Sequence, residues 1–174
     1  MFEREEDGRR PPYGPALDIG CGSGIWSVNL AKRGWDVTGI DIVPKALRRA
    51  RERARKAGVD ARFVQGDVTA LRAAGAGTGF RLLLDFNCFH DLNDAQRAAV
   101  GREATAIAAE GATLPMMAWT PTRRNPMLPR GAGRADVEGA FAGWNVMDEQ
   151  AVDVSGAPGS VQKAEPRWYR LRRG

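Results

Sequence analysis

The stretch Leu17-Asp18-Ile19-Gly20-Cys21-Gly22-Ser23-Gly24 decides how this chain folds. An apolar run, Pro15 to Ile19, ends in glycines at alternate positions, and the helical pattern Ile25 to Arg33 comes directly after. Glycine has no Cβ, so the main chain can turn sharply there, and a ligand can lie against bare backbone where a side chain would collide. Strand, glycine turn and helix in that order open a βαβ unit, with a ligand expected at the turn. A pyrophosphate-binding turn is spaced G-x-G-x-x-G, and its third glycine would fall on position 25, which is Ile25. No Lys-Ser or Lys-Thr pair comes next to make a phosphate loop either, so phosphate-bearing ligands fit this turn poorly.

Outward from that turn, short apolar runs keep alternating with helical patterns. Asp36 to Ile40 reads as a second strand, and Pro44, favoured at a first helical position, opens a helix that stops at Ala57-Gly58. Ala61 to Val64 is a third strand, Gly75 to Gly79 a glycine-rich loop, and Arg81 to Phe86, with three leucines in a row, a strand buried on both faces. Asp94 to Ala109 is a helix closed by Gly111, and Ala112 to Trp119 a fifth strand in which Pro115 should delay the start or force a bulge. After Thr120 to Gly133, an irregular basic loop expected over the site, a short helix spans Arg134 to Ala142. Trp144 to Val154 and Arg167 to Arg172, joined through the turn-rich Ser155 to Ser160, read as an antiparallel hairpin. The expected fold is α/β: a Rossmann-like doubly wound sheet of seven strands, mostly parallel, with an antiparallel strand in the C-terminal hairpin. One domain over residues 1–174 is expected, with 1–14 as a short leading segment.

Composition narrows the class. With 43% hydrophobic and 27% charged residues in 174, the chain has the balance of a globular domain rather than a disordered one. No apolar run approaches the roughly 20 residues that cross a bilayer, and Met1 to Arg10 is too charged for a signal peptide, so no membrane association and a cytoplasmic location are expected. Two cysteines and one histidine without ligand spacing argue against a disulfide scaffold and against a metal site. The net charge of +5 is mostly arginine. Arg48, Arg49, Arg51, Arg53, Arg55 and Lys56 crowd onto one helix, which suits a nucleic-acid surface or a solvated face; no aromatic interleaves them, and the solvated face is preferred.

The string Asp18 to Gly24 resembles the D-x-G-x-G-x-G motif of class I S-adenosylmethionine-dependent methyltransferases, and the likeness continues in the family's order. Asp41, ending the second strand, matches the acid that holds the ribose hydroxyls, which suits a carboxylate able to accept from two vicinal hydroxyls. Gln65-Gly66-Asp67-Val68 matches the segment that receives adenine, and Asp85-Phe86-Asn87-Cys88-Phe89-His90 the segment beside the methyl group and methionine part. The resemblance implies S-adenosylmethionine as cofactor, S-adenosylhomocysteine as product, and Asp18, Gly20, Cys21, Gly22, Asp41, Ile42, Asp67, Val68, Asp85 and Asn87 as cofactor-binding residues. Asn87 to His90 and the closing Arg167-Trp168-Tyr169-Arg170-Leu171 are similar to the thiopurine and tellurite-resistance branch, whose aromatic N-terminal lid would here shrink to Pro11-Pro12-Tyr13.

Methyl transfer from a sulfonium is an in-line displacement that needs alignment and dryness more than a covalent residue. His90 is the candidate general base, or else a histidine packed and hydrogen-bonded at the rim. Cys88 has no orienting partner for nucleophilic chemistry and reads as packing beside Cys21. Phe89, His90, Trp119 and Tyr13 are the candidate acceptor contacts, with core packing the competing role for the aromatics. The D/N-P-P-Y motif of amino-methylating nucleic-acid enzymes is missing after the fourth strand, which favours a small-molecule acceptor. The alternatives are a nucleic-acid methyltransferase using the arginine helix and the loop around Arg123, and a cofactor-binding module without chemistry. A monomer or homodimer is expected.

Overall fold

The computed structural model describes residues 2–121, 130–156 and 165–174. Seven strands form one sheet in the order β3-β2-β1-β4-β5-β7-β6: β1 Gly14–Ile19, β2 Trp35–Asp41, β3 Arg62–Gln65, β4 Phe80–Phe86, β5 Ala108–Ala118, β6 Trp144–Ala151 and β7 Arg167–Arg173. The strands β1 to β5 run parallel, and β7 pairs antiparallel with both β5 and β6. The strand order reverses between β1 and β4, which leaves a crevice outside the carboxyl ends of the parallel strands.

The triple leucine of β4 shows why these residues form a central strand. Leu82 and Leu84 turn to one face, against Ala16, Val37 and the helix α2 (Ile25–Arg33), while Leu83 turns to the other with Leu17 and Ile19. All three leucines are fully buried, because a parallel sheet is covered on both sides. Helix α3 (Pro44–Ala57) packs beside α2 through Leu47, Ala50 and Ala54, and ends where Gly58 adopts the left-handed conformation that only glycine takes without strain. On the opposite face lies α4 (Asp94–Ile107), with α5 (Arg134–Ala140) against it. The Asn93 side chain accepts from Gln96 N while the Gln96 side chain accepts from Asn93 N, closing the first turn of α4.

Three expectations are corrected. β5 begins at Ala108, so α4 stops at Ile107, and Pro115 sits inside the strand opposite Arg170 without a bulge at that point; the register shift against β4 lies earlier, between Phe80 and Leu82. A lone missing donor is tolerated in a strand of 11 residues held on both sides. A short helix α1 (Glu3–Glu6) precedes the sheet, and Glu5 pairs with Arg170 of β7 at 2.6 Å while Phe2 joins the core beneath α2. Pro11-Pro12-Tyr13 therefore leads into the amino end of β1, where Tyr13 packs on Trp35 at 5.3 Å, and does not reach the carboxyl edge to close over it. Arg123 and Arg124 lie outside the described residues.

Candidate functional site

The glycine loop is tied down from below and open above. Cys21 N donates to Ile40 O (2.9 Å), Gly24 N to Cys21 O (2.9 Å) and Gly22 N to Asp41 Oδ2 (2.8 Å), which pins the loop to the end of β2. A Cβ on Gly20 would stand 2.7 Å from both Cβ and Sγ of Cys88, whereas one on Gly22, at φ +53°, would meet nothing within 4 Å. Gly20 is bare so that the loop after β4 can cross it; Gly22 is bare toward open space. Gly22 is thus the glycine that leaves room for a ligand.

Carboxylates converge around that opening. Asp41 accepts from Gly22 N through one oxygen and from Val43 N through the other, each at 2.8 Å, and a carboxylate has about four acceptor positions, so two remain. Gly66 N donates to Asp41 O at 3.1 Å, which brings the end of β3 beside the end of β2 and places Asp67 next to Asp41's strand. Asp67 Oδ1 takes both N and Oγ of Thr69, at 2.8 and 2.7 Å; Oδ2 has no partner among the described residues. Those bonds hold its carboxyl below the usual range, so it is an acceptor at neutral pH. Ile42 is 62% exposed directly after Asp41, and Val68 packs its stem into the main core. On the β4 side, Asn87 sits at φ +70°, and its Oδ1 is buried without a hydrogen-bond partner among the described residues. Such an acceptor is destabilising unless a donor reaches it from water or a ligand.

Beneath the loop lie two carboxyls of another kind. Asp18 and Asp85, on the adjacent strands β1 and β4, are both fully buried and pushed up to about 7, chiefly by desolvation. Asp18 accepts from Ser27 Oγ at 2.5 Å, fixing α2 to β1; Asp85 accepts from Cys88 N and Phe89 N at 3.0 and 3.1 Å, shaping the turn after β4. Through these bonds both carboxyls hold the loops. The folded state keeps their protons to higher pH than an unfolded chain would, so their contribution is complete below about pH 4 and is lost as pH rises toward 7. Asp18→Asn should therefore flatten the fall of unfolding free energy over that range, by an amount on the order of a few kcal/mol. Urea unfolding of both proteins at pH 5 and 8 checks this, and equal pH slopes would contradict it.

The turn Phe89–Asp91 directs Phe89 and His90 inward and leaves Asp91 exposed. Phe89 is completely buried against Phe141 at 5.6 Å, so it backs the site and cannot touch an acceptor, a correction that Tyr13 shares because it stands at the opposite sheet edge. His90 is 3% exposed; its Nδ1 accepts from Trp119 N at 3.3 Å, and Nε2 lies 3.7 Å from Asp91. Burial lowers its pKa, which keeps the ring neutral at neutral pH, and with Nδ1 accepting from Trp119 N the ring proton falls on Nε2. Trp119, half-buried, lies 5.6 Å from that ring at the end of β5. Burial also pushes both thiols up, which leaves Cys21 and Cys88 protonated and in keeping with packing.

Arg97 gives no sign of itself in the sequence. Only 5% exposed in α4, it donates to Phe89 O (3.4 Å), His90 O (3.2 Å) and Gly131 O, with Asp136 at 3.3 Å, and so clamps the turn after β4 to the segment before α5. Nothing in this alanine-rich helix sequence distinguishes Arg97 from the exposed Arg102.

An adenosyl group fits these residues. Two unfilled acceptor positions on Asp41 match vicinal hydroxyls, Oδ2 of Asp67 matches an amine, exposed Ile42 can cover a ring, and Gly22 leaves the room. A phosphate does not fit, because Gly22 N already donates to Asp41 and the carboxylate would repel it. Residues 16–111, more than half of the chain, match the family model described as "Methyltransferase domain". The chain belongs to that methyltransferase family. Relatives and neighbours agree with it. The ubiquinone biosynthesis O-methyltransferase of Caulobacter sp. (strain K31) is 38% identical over 77 residues, 44% of this chain, but the match spans only 31% of that relative's length. The N-methyltransferase NodS from Bradyrhizobium japonicum, solved with S-adenosylhomocysteine, superposes with a TM-score of 0.78 at 17% identity, covering 99% of this chain and 83% of its own. TehB from Haemophilus influenzae gives 0.71 at 16% identity, covering 92% and 57%. At such identities the structures speak for the fold of this methyltransferase domain and leave its acceptor open.

Proposed function

We propose that this domain binds S-adenosylmethionine over the glycine loop and transfers its methyl group to a small-molecule nucleophile, a thiol, hydroxyl or similar group, in the cytoplasm. The observation that carries this is the convergence of bare Gly22, Asp41 and the Gly66-Asp67 turn at the ends of neighbouring strands. Bound there, the cofactor would supply an electrophilic methyl carbon on a sulfonium, open to in-line displacement by an aligned nucleophile whose proton would pass to solvent. The protein's residues bind and align. Asp41 takes the ribose hydroxyls, Asp67 and Ile42 the adenine, and Asn87 Oδ1 receives a donor from the methionine part or the acceptor.

His90 is assigned a positioning role rather than that of a base. Its Nδ1 lone pair is engaged by Trp119 N, and Nε2 already carries a proton. A thiol acceptor needs no base near neutral pH, since its thiolate is already populated. The finer placement in the thiopurine and tellurite-resistance branch rests on the Asn87–His90 turn and the Arg167–Leu171 strand. The test is transfer of labelled methyl from S-adenosylmethionine to a panel of thiols, phenols and amines. The expected result is turnover on at least one of them; cofactor binding with no turnover on any, or turnover on RNA or DNA alone, would overturn it.

A further inference from the structure

The positive charge of this protein is concentrated in one helix. α3 carries seven basic residues and one acidic residue. Removing those eight from the chain's 26 basic and 21 acidic residues leaves 19 against 20. The net charge of +5 is thus a property of α3 alone, set against a nearly neutral remainder.

Packing gives that charge a shape. Between α2 and α3 runs a groove of about 630 Å³, into which Lys32 of α2 and Arg49, Arg53 and Lys56 of α3 converge. Lys32, Arg49 and Arg53 make no ion pair among the described residues. Glu52, on the groove wall, pairs with Lys56 at 2.7 Å; both side chains are more than half exposed, and such a pair holds little energy. Arg53 Nε donates to Ser23 O at 3.0 Å, which fixes one end of the groove beside the glycine loop. Ile25, 57% exposed, and the exposed Asn29 complete the lining. A solvated helix face needs none of this convergence from a second helix.

We infer that the α2/α3 groove is a docking surface for the phosphate backbone of single-stranded RNA. The four cations supply the countercharge, Asn29 a hydrogen-bonding amide and Ile25 an apolar surface for a base. An open groove between two helices admits a strand along its length, whereas a flat bilayer surface would meet chiefly the rims. The groove lies on the flank formed by α2 and α3, away from the crevice after β4, so it assigns no methyl acceptor and stands independently of the proposed chemistry.

Fluorescence anisotropy with a short fluorescein-labelled single-stranded RNA tests it on the intact chain. Four phosphate contacts, at a slope of about −0.7 each, predict that a fourfold rise in salt weakens binding roughly 50-fold. Changing Lys32, Arg49, Arg53 and Lys56 together to Glu should abolish binding. If that variant unfolds, Arg49→Gln with Lys56→Gln, neither of which bonds to the backbone, should halve the salt slope, while Arg102→Gln on the far face leaves it unchanged. No RNA binding at low salt, binding to anionic vesicles but not RNA, or an affinity indifferent to the groove substitutions would each overturn the assignment.

Discussion

Asp41→Ala should reduce affinity for S-adenosylhomocysteine at least 100-fold while leaving the fold intact. Hydrogen bonds to a charged acceptor each contribute about 1.5–3 kcal/mol, and two hydroxyls are lost at once. The same carboxylate also accepts from Gly22 N and Val43 N, so the loop loses two internal ties. Both amides are near the surface, where water can replace the carboxylate, and the stability cost should stay near 1 kcal/mol. Titration calorimetry beside thermal unfolding separates the two effects. An affinity within threefold of wild type would remove Asp41 from the site.

The glycine loop offers a second test, in which binding and stability should part company. A methyl group on Gly22 finds open space, so Gly22→Ala costs only the left-handed backbone, roughly 1 kcal/mol, yet places a Cβ where the ligand lies and should weaken it by tenfold or more. Gly20→Ala does the reverse. Its Cβ would stand 2.7 Å from Cys88 Cβ and Sγ, so the loop after β4 must move, and a loss of several kcal/mol of stability is expected. Equal effects of the two substitutions on binding and on stability would show that the loop has no ligand face. The pair is informative because the two glycines share a motif and differ only in what lies above them.

How legible each feature is in the sequence depends on how local its physical requirement is. The glycine turn, the Gly58 cap and the buried leucines of β4 answer to steric and burial rules that act within a few residues, and each stands where the pattern places it. Asp41 is legible because the next element marks the end of its strand: Pro44 opens α3 three residues on. Tyr13 is close to the glycine loop in sequence and far from it in space. A strand of six residues, about 20 Å, separates the residue before β1 from the loop after it. Phe89 and Arg97 depend on tertiary partners that no local pattern announces: one ring is turned into the core by a tight turn, and one guanidinium is satisfied by carbonyls at 89, 90 and 131. The left-handed backbone and orphan oxygen of Asn87 are likewise invisible, since asparagine after a strand is ordinary in sequence.

A crystal structure of the protein with S-adenosylhomocysteine addresses the central claim most directly. The ribose hydroxyls should lie within hydrogen-bonding distance of Asp41, with adenine between Ile42 and Asp67 and the backbone of Gly22 against the ligand. Density for the ligand elsewhere, or an adenine seated away from the β3 end, would contradict the account.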